Sequence, residues 1–195
     1  MKKLYVFGIM LLGLIFQNQI QAQDSNACMQ DLSIFAEYVK VKNYASAKEP
    51  WTRVRQSCPD LNAAIYTYGE RILKDYIKNG TPEEVEASKK DLIQLYDEWV
   101  QYFPAKKNES TVGDVLSKKA QALLDYKIAD LKVVYTTFDE AYTKDAKSFT
   151  NPKHLYNYFK TLYDRYKAGD TEVSMEMLFN KYEEVSEKFE IETTE

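Results

Sequence analysis

The chain has 195 residues, 45% hydrophobic and 29% charged, with 26 basic and 30 acidic side chains, a net charge of −4 and one histidine. Lysines scattered along a mildly acidic chain exclude the basic face that nucleic acid requires and the polybasic patch that holds a protein to anionic lipid. The apolar content suffices for a buried core, and beyond Gln23 no stretch is apolar for long enough to span a bilayer.

Lys2 and Lys3 precede an apolar run from Leu4 to Phe16, and the polar stretch Gln17 to Gln23 follows. That order is a bacterial secretory signal, its apolar run too short for a membrane span. Cleavage is expected after Ala22, leaving residues 23–195. The leader carries two lysines and no acid, so its loss takes the net charge from −4 to −6. Cys28 preceded by Ser25, Asn26 and Ala27 makes a poor lipidation site, set apart from the apolar run. The expected destination is the periplasm or cell surface of a bacterium. Both cysteines, Cys28 and Cys58, lie in the exported part, where an intramolecular disulfide is the default.

Beyond the leader, apolar residues recur at steps of three and four, the period of helices with one buried face, and no run alternates with period two. Eight helices are predicted, near 27–41, 44–57, 61–77, 83–102, 112–125, 129–147, 152–168 and 171–190. Pro59-Asp60, Asn79 to Pro82, Pro104 to Ser110, Thr150 to Pro152 and Ala168 to Thr171 supply stops, caps and starts between them. The fold class is all-α, and short loops group the helices into four hairpins near 27–60, 61–105, 112–148 and 152–191.

Ile34 and Tyr38 on the first helix, then Ala47, Trp51, Val54 and Pro59 on the second, match the tetratricopeptide pattern in residue type and spacing. The next hairpin opens with Ile65, Tyr68, Gly69 and Ile72 and closes with Leu92, Tyr96, Trp99 and Pro104. The third (Leu116, Ala120, Leu123, Val134, Phe138, Ala141) and fourth (Leu155, Tyr158, Leu162, Leu178, Tyr182, Val185) follow more loosely. The chain thus resembles the tetratricopeptide repeat family, which implies a right-handed superhelical array of about four antiparallel hairpins. Small Ala47 and Gly69 let helices approach, Trp51 fills the space beside its neighbour, and Pro59 stops the second helix. Asp31 and Phe35 depart from the family, which usually has Trp and Gly there, and Pro50 inside the second helix is expected to kink it or shift its start. In an antiparallel hairpin the start of one helix lies beside the end of the next, where Cys28 and Cys58 stand.

Catalytic constellations are scarce. His154 alone cannot make a site of several histidines, and in the first turn of an amphipathic helix it reads as solvated. The glycines are isolated, Glu83-Glu84 and Glu183-Glu184 point apart on helices, and no calcium loop occurs. No cofactor, metal or enzymatic activity is expected. The 16 tyrosines are the oddity of the composition. Tyr96, Tyr158 and Tyr182 fall on core positions. The resemblance implies a concave groove lined by the first helix of each hairpin, which places Tyr66, Glu70, Lys74, Gln121, Asp125, Tyr156, Lys160 and Tyr163 in it. Aromatic rings interleaved with charges suit an extended peptide or loop. The expected function is an exported, non-catalytic scaffold or adaptor for a protein or peptide partner; the alternative is a glycan or small-ligand module that stacks sugars on tyrosine. The last helix, with Met177, Leu178, Tyr182, Val185 and Phe189, offers a surface for packing back, self-association or further repeats.

Overall fold

The computed structural model describes residues 26–194, so the leader and its cleavage site lie outside the described residues. Among those residues are eight helices: α1 (26–40), α2 (Tyr44–Ser57), α3 (Ala64–Asn79), α4 (Pro82–Tyr102), α5 (Val112–Asp125), α6 (Leu131–Asp145), α7 (Pro152–Lys167) and α8 (Met175–Thr194). The protein is all-α. Between α4 and α5 stands one addition to the expected elements, a strand pair β1 (Ala105–Lys106) and β2 (Glu109–Ser110). Lys107 and Asn108 turn it with φ of 52° and 67°, the left-handed pair that a two-residue hairpin turn demands.

Side chains cap the helix starts. The Asn43 side chain accepts from Ser46 N at 3.2 Å, and Asp130 accepts from Val133 N at 2.9 Å. Thr81 and Glu84 form a reciprocal box at the head of α4, each side chain bonded to the other's backbone N–H, with Pro82 in the first turn. Asn151 and Pro152 do the same work for α7, Asn151 accepting from Lys153 N and His154 N. Three helix ends share one pattern. After α7, Gly169 (φ 79°) donates to Tyr166 O and Asp170 N to Arg165 O, the paired bonds of a Schellman turn. Lys42 (φ 59°) after α1 and Lys127 (φ 53°) after α5 make the same two bonds.

The described residues form two compact units that divide inside α3, between Asp75 and Tyr76. In the first unit a disulfide joins Cys28 to Cys58, across a Cα separation of 6.3 Å, and Arg53 of α2 grips both carboxylate oxygens of Asp31 on α1. Asp31 therefore serves as an ion-pair partner. Trp51 of α2 is buried against Gly69 of α3, and its Nε1 donates to Ile65 O at 2.8 Å. Phe35 meets Tyr68 edge to face at 6.3 Å. The buried face of α1 is Cys28, Phe35 and Val39, whereas Ile34 and Tyr38 are exposed, so the sequence pattern was offset from the true face by one residue. Pro50 is buried within a continuous α2 whose start at Tyr44 is not shifted.

The second unit gathers Leu116, Ala120 and Leu123 of α5, Val134, Phe138 and Ala141 of α6, Leu155, Tyr158 and Leu162 of α7, and Leu178 and Val185 of α8 into one core. Phe149, in the loop before α7, stacks between Phe138 and Tyr158 with ring separations near 6 Å. Gly113, in the first turn of α5, lies so close to the end of α6 that a Cβ would stand 2.0 Å from Asp145 O. Asp145 bonds the Gly113 and Ser148 backbone N–H groups there. These bonds, with the Ser110 and Ser148 hydroxyls, outweigh burial and hold its carboxyl below the usual range.

Candidate functional site

The eight residues placed in a groove by the repeat resemblance divide between the two units. In the first, Tyr66 is fully buried, its hydroxyl donating to Pro59 O at 3.0 Å, so it is a core residue and not a lining one. Glu70 and Lys74, one turn apart on α3, pair at 2.5 Å.

In the second unit, Gln121 and Asp125 join α5 to α7. The buried Gln121 side chain accepts from Asn157 Nδ2 at 2.8 Å and donates to Asp125 at 2.7 Å, while Asp125 meets Lys153 at 3.2 Å. A buried amide bonded through both its oxygen and its nitrogen is structural cement. Tyr156, Lys160 and Tyr163 differ: they lie on the outer side of α7, Tyr156 being 56% exposed and Tyr163 43%. Lys160 pairs with Asp164 one turn on.

These tyrosines belong to a larger apolar surface. Phe159 stacks on Tyr163 at 6.4 Å and meets Tyr182 of α8 edge to face at 5.7 Å. Tyr182 was expected in the core from its repeat position; it is 56% exposed, because the faces turned inward on α8 are Leu178 and Val185. Phe179 (63% exposed), Met175 and Phe189 continue the surface along α8. The sequence reading missed Phe159, Phe179 and Met175 as surface members. The available signal was Phe179 four residues after Met175 and three before Tyr182, a stripe beside the buried one.

Beneath that surface, Tyr158 carries a polar contact through the core. Its hydroxyl donates to Asp139 of α6 and accepts from Lys181 Nζ of α8 at 2.5 Å, and Lys181 also reaches Asp139 at 3.2 Å. The ammonium stands 4.6 Å from the Tyr158 ring centroid. Burial, then the Asp139 bond, pushes the phenol well above its ordinary value. A phenol held neutral in this way is a poor acid-base catalyst and a good structural tie.

His154 is buried, not solvated as its place in the first turn suggested. Its Nδ1 lies 2.9 Å from Ser117 Oγ, and α5 and Phe138 cover it. Ser117 is itself fully buried, so no substrate reaches this pair. A cavity of about 530 Å³ opens among Leu124, Lys127, Leu131, Lys132, Arg165 and Asp170. Arg165 there pairs with Asp170 at 2.7 Å and Glu172 at 3.1 Å. Among the described residues no three His, Cys, Asp or Glu side chains are grouped to hold a metal ion, and no helix is long and apolar enough to cross a membrane.

Compared with protein-family models, with curated proteins and with solved structures, the chain matches none.

Proposed function

We propose that the protein is an exported, non-catalytic helical scaffold of tetratricopeptide-like build, which works in the cell envelope by holding another protein on the outer face of α7 and α8. One observation carries this reading: Tyr156, Phe159, Tyr163, Phe179 and Tyr182 spread aromatic area over two adjacent helices, three of them joined ring to ring. Single exposed apolar residues need no explanation, but a contiguous rigid aromatic surface is the composition of a contact site. The surface is open, which suits a protein face better than a sugar held in a pocket, and the nearby cavity has no aromatic lining. Hairpin packing, the disulfide and the leader-like N-terminal sequence support the build and the compartment.

The test is cross-linking and capture from the native envelope, comparing the parent with a Tyr156→Ala, Lys160→Ala, Tyr163→Ala variant. These side chains lie on the surface, so the variant is expected to keep the parent's circular dichroism while losing a specific partner. Identical partner sets for the two would refute the reading.

A further inference from the structure

Four rows with the same spacing run along the outer face. On α7, Tyr156 and Tyr163 are seven residues apart, and Lys153, Lys160 and Lys167 repeat at the same interval. On α8, Met175, Tyr182 and Phe189 repeat at seven, each followed by a glutamate: Glu176, Glu183 and Glu190. At 3.6 residues per turn, a seven-residue repeat draws a nearly straight row along a helix.

The order of the rows across the face follows from the contact between Phe159 and Tyr182. At about 100° per residue, Tyr163 lies about 40° further round α7 than Phe159, and Lys160 about 100°. On α8, Phe179 lies about 60° beyond Tyr182 and Glu183 about 100°. The aromatic rows are therefore central, with lysines along the α7 edge and glutamates along the α8 edge. The helices run antiparallel, since Arg165 meets Asp170 near the turn while Tyr158 meets Lys181 further along. With Phe159 beside Tyr182, Lys153 stands level with Glu190, Lys160 with Glu183, and Lys167 with Glu176, each to within about 3 Å at 1.5 Å per residue.

We propose that this face pairs with the same face of a second copy of the chain, about a twofold axis parallel to α7 and α8. The inference rests on the outer face being the contact surface, as the proposed function holds. Rotation about that axis exchanges the two edges without changing height, so each copy's lysine row lies along the other's glutamate row, while the aromatic rows meet at the centre. A twofold axis perpendicular to the helices would set lysine on lysine. A partner of one charge sign would match one edge and oppose the other, whereas a second copy matches both. The arrangement is that of paired helices in which an apolar seam gives adhesion and flanking charges choose the partner, closed by isologous symmetry. Glu176, Glu183 and Glu190 are exposed and make no ion pair among the described residues. The lysines' own pairs, Lys153 with Asp125 and Lys160 with Asp164, are partly exposed and exchange at little cost.

Sedimentation equilibrium of the chain from residue 23 onward tests this. The parent is expected to be a reversible dimer, and a Phe179→Glu, Tyr182→Glu variant a monomer. Lys160→Glu with Lys167→Glu, and separately Glu176→Lys with Glu183→Lys, should each weaken dimerisation at least about tenfold. An equimolar mixture of these two variants should dimerise to within about threefold of the parent, because both edges of the mixed pair are again opposite in charge. Recovery on mixing cannot come from misfolded chains. A parent monomeric at about 100 µM, or a mixture as weak as its components, overturns the proposal. A monomeric parent whose envelope partner is lost in the α7 triple variant would leave the contact surface standing and remove only the second copy; a monomeric parent with unchanged partners would remove both.

Discussion

Replacing Gly69 with Ala puts the packing of α2 on α3 to a direct test. A Cβ at residue 69 would lie 2.6 Å from Trp51 Nε1, 2.7 Å from Cζ2 and 2.8 Å from Cε2. Carbon atoms rest about 3.5–4.0 Å apart, so the indole would have to retreat by about 1 Å. It has little room, being buried and bonded to Ile65 O at 2.8 Å. Overpacking of this kind costs about 1–3 kcal/mol and weakening the indole bond about 1 kcal/mol, against a gain of about 1 kcal/mol in helix propensity on leaving glycine. The expected net loss is about 1–3 kcal/mol, read from urea unfolding followed at 222 nm. A Trp51→Phe background removes the outer ring and its N–H, so there the Ala substitution should cost nothing or stabilise. The two changes should therefore couple by at least about 1 kcal/mol. A Gly69→Ala protein as stable as the parent, with Trp51 in place, would refute the reasoning.

The other expectations concern both units. Gly113→Ala meets a backbone oxygen that cannot rotate away and should lose about 3 kcal/mol or more, seen as a drop in thermal midpoint. Replacing both Cys28 and Cys58 with Ser frees a loop whose ends are 30 residues apart, and loop-closure entropy gives a loss of about 3–4 kcal/mol, measurable as a lower denaturant midpoint for the first unit. Tyr158, raised above its ordinary value, contributes stability that is complete below about pH 10 and lost as pH rises beyond it. Absorbance at 295 nm should show tyrosines that ionise only as the fold is lost, Tyr135 and Tyr158 among them, and Tyr158→Phe should shrink that step by one tyrosine. Asp145, held low, acts in the opposite direction: its contribution is present above about pH 4 and fades as pH falls, so Asp145→Asn should flatten the acid limb of the stability curve.

Three of the helix starts made by a side chain were legible. Asn43, Thr81 with Pro82, and Asn151 with Pro152 are local signals, and the helices they begin were placed to within a residue. The sequence places the start of α8 at residue 171, yet it begins at Met175, because Ser174 and not Asp170 caps it, accepting from Met177 N at 3.1 Å. The left-handed turns at Lys42 and Lys127 were hidden, since lysine has no preference for that conformation and tertiary packing imposes it. Periodicity located helix faces to within about 100° but not better: Phe35 and Val39, not Ile34 and Tyr38, turn inward on α1. The same limit misassigned Tyr182 and His154. An amphipathic pattern reports that a face exists, while the neighbour that covers it is decided by elements distant in the chain. Of the candidate groove, Tyr156 and Tyr163 were legible as exposed rings, and their continuation onto Phe159 and Tyr182 required the α7–α8 contact.

The core contact of Lys181 with Tyr158 and Asp139 bears on how far α8 can slide. Apolar side chains such as Leu178 and Val185 have no direction and would accept displacement by one turn, about 5.4 Å, with modest loss. The ammonium would not, since such a shift carries it away from the Tyr158 and Asp139 oxygens and leaves Asp139 only its tyrosine hydroxyls, a loss of about 1.5–3 kcal/mol for a charge-assisted contact. A single interior lysine thus works as a detent. It admits one height for α8 and rejects the neighbouring ones, so evenly spaced rows on the outside, which would otherwise be ambiguous by one step, are brought to a common level from within.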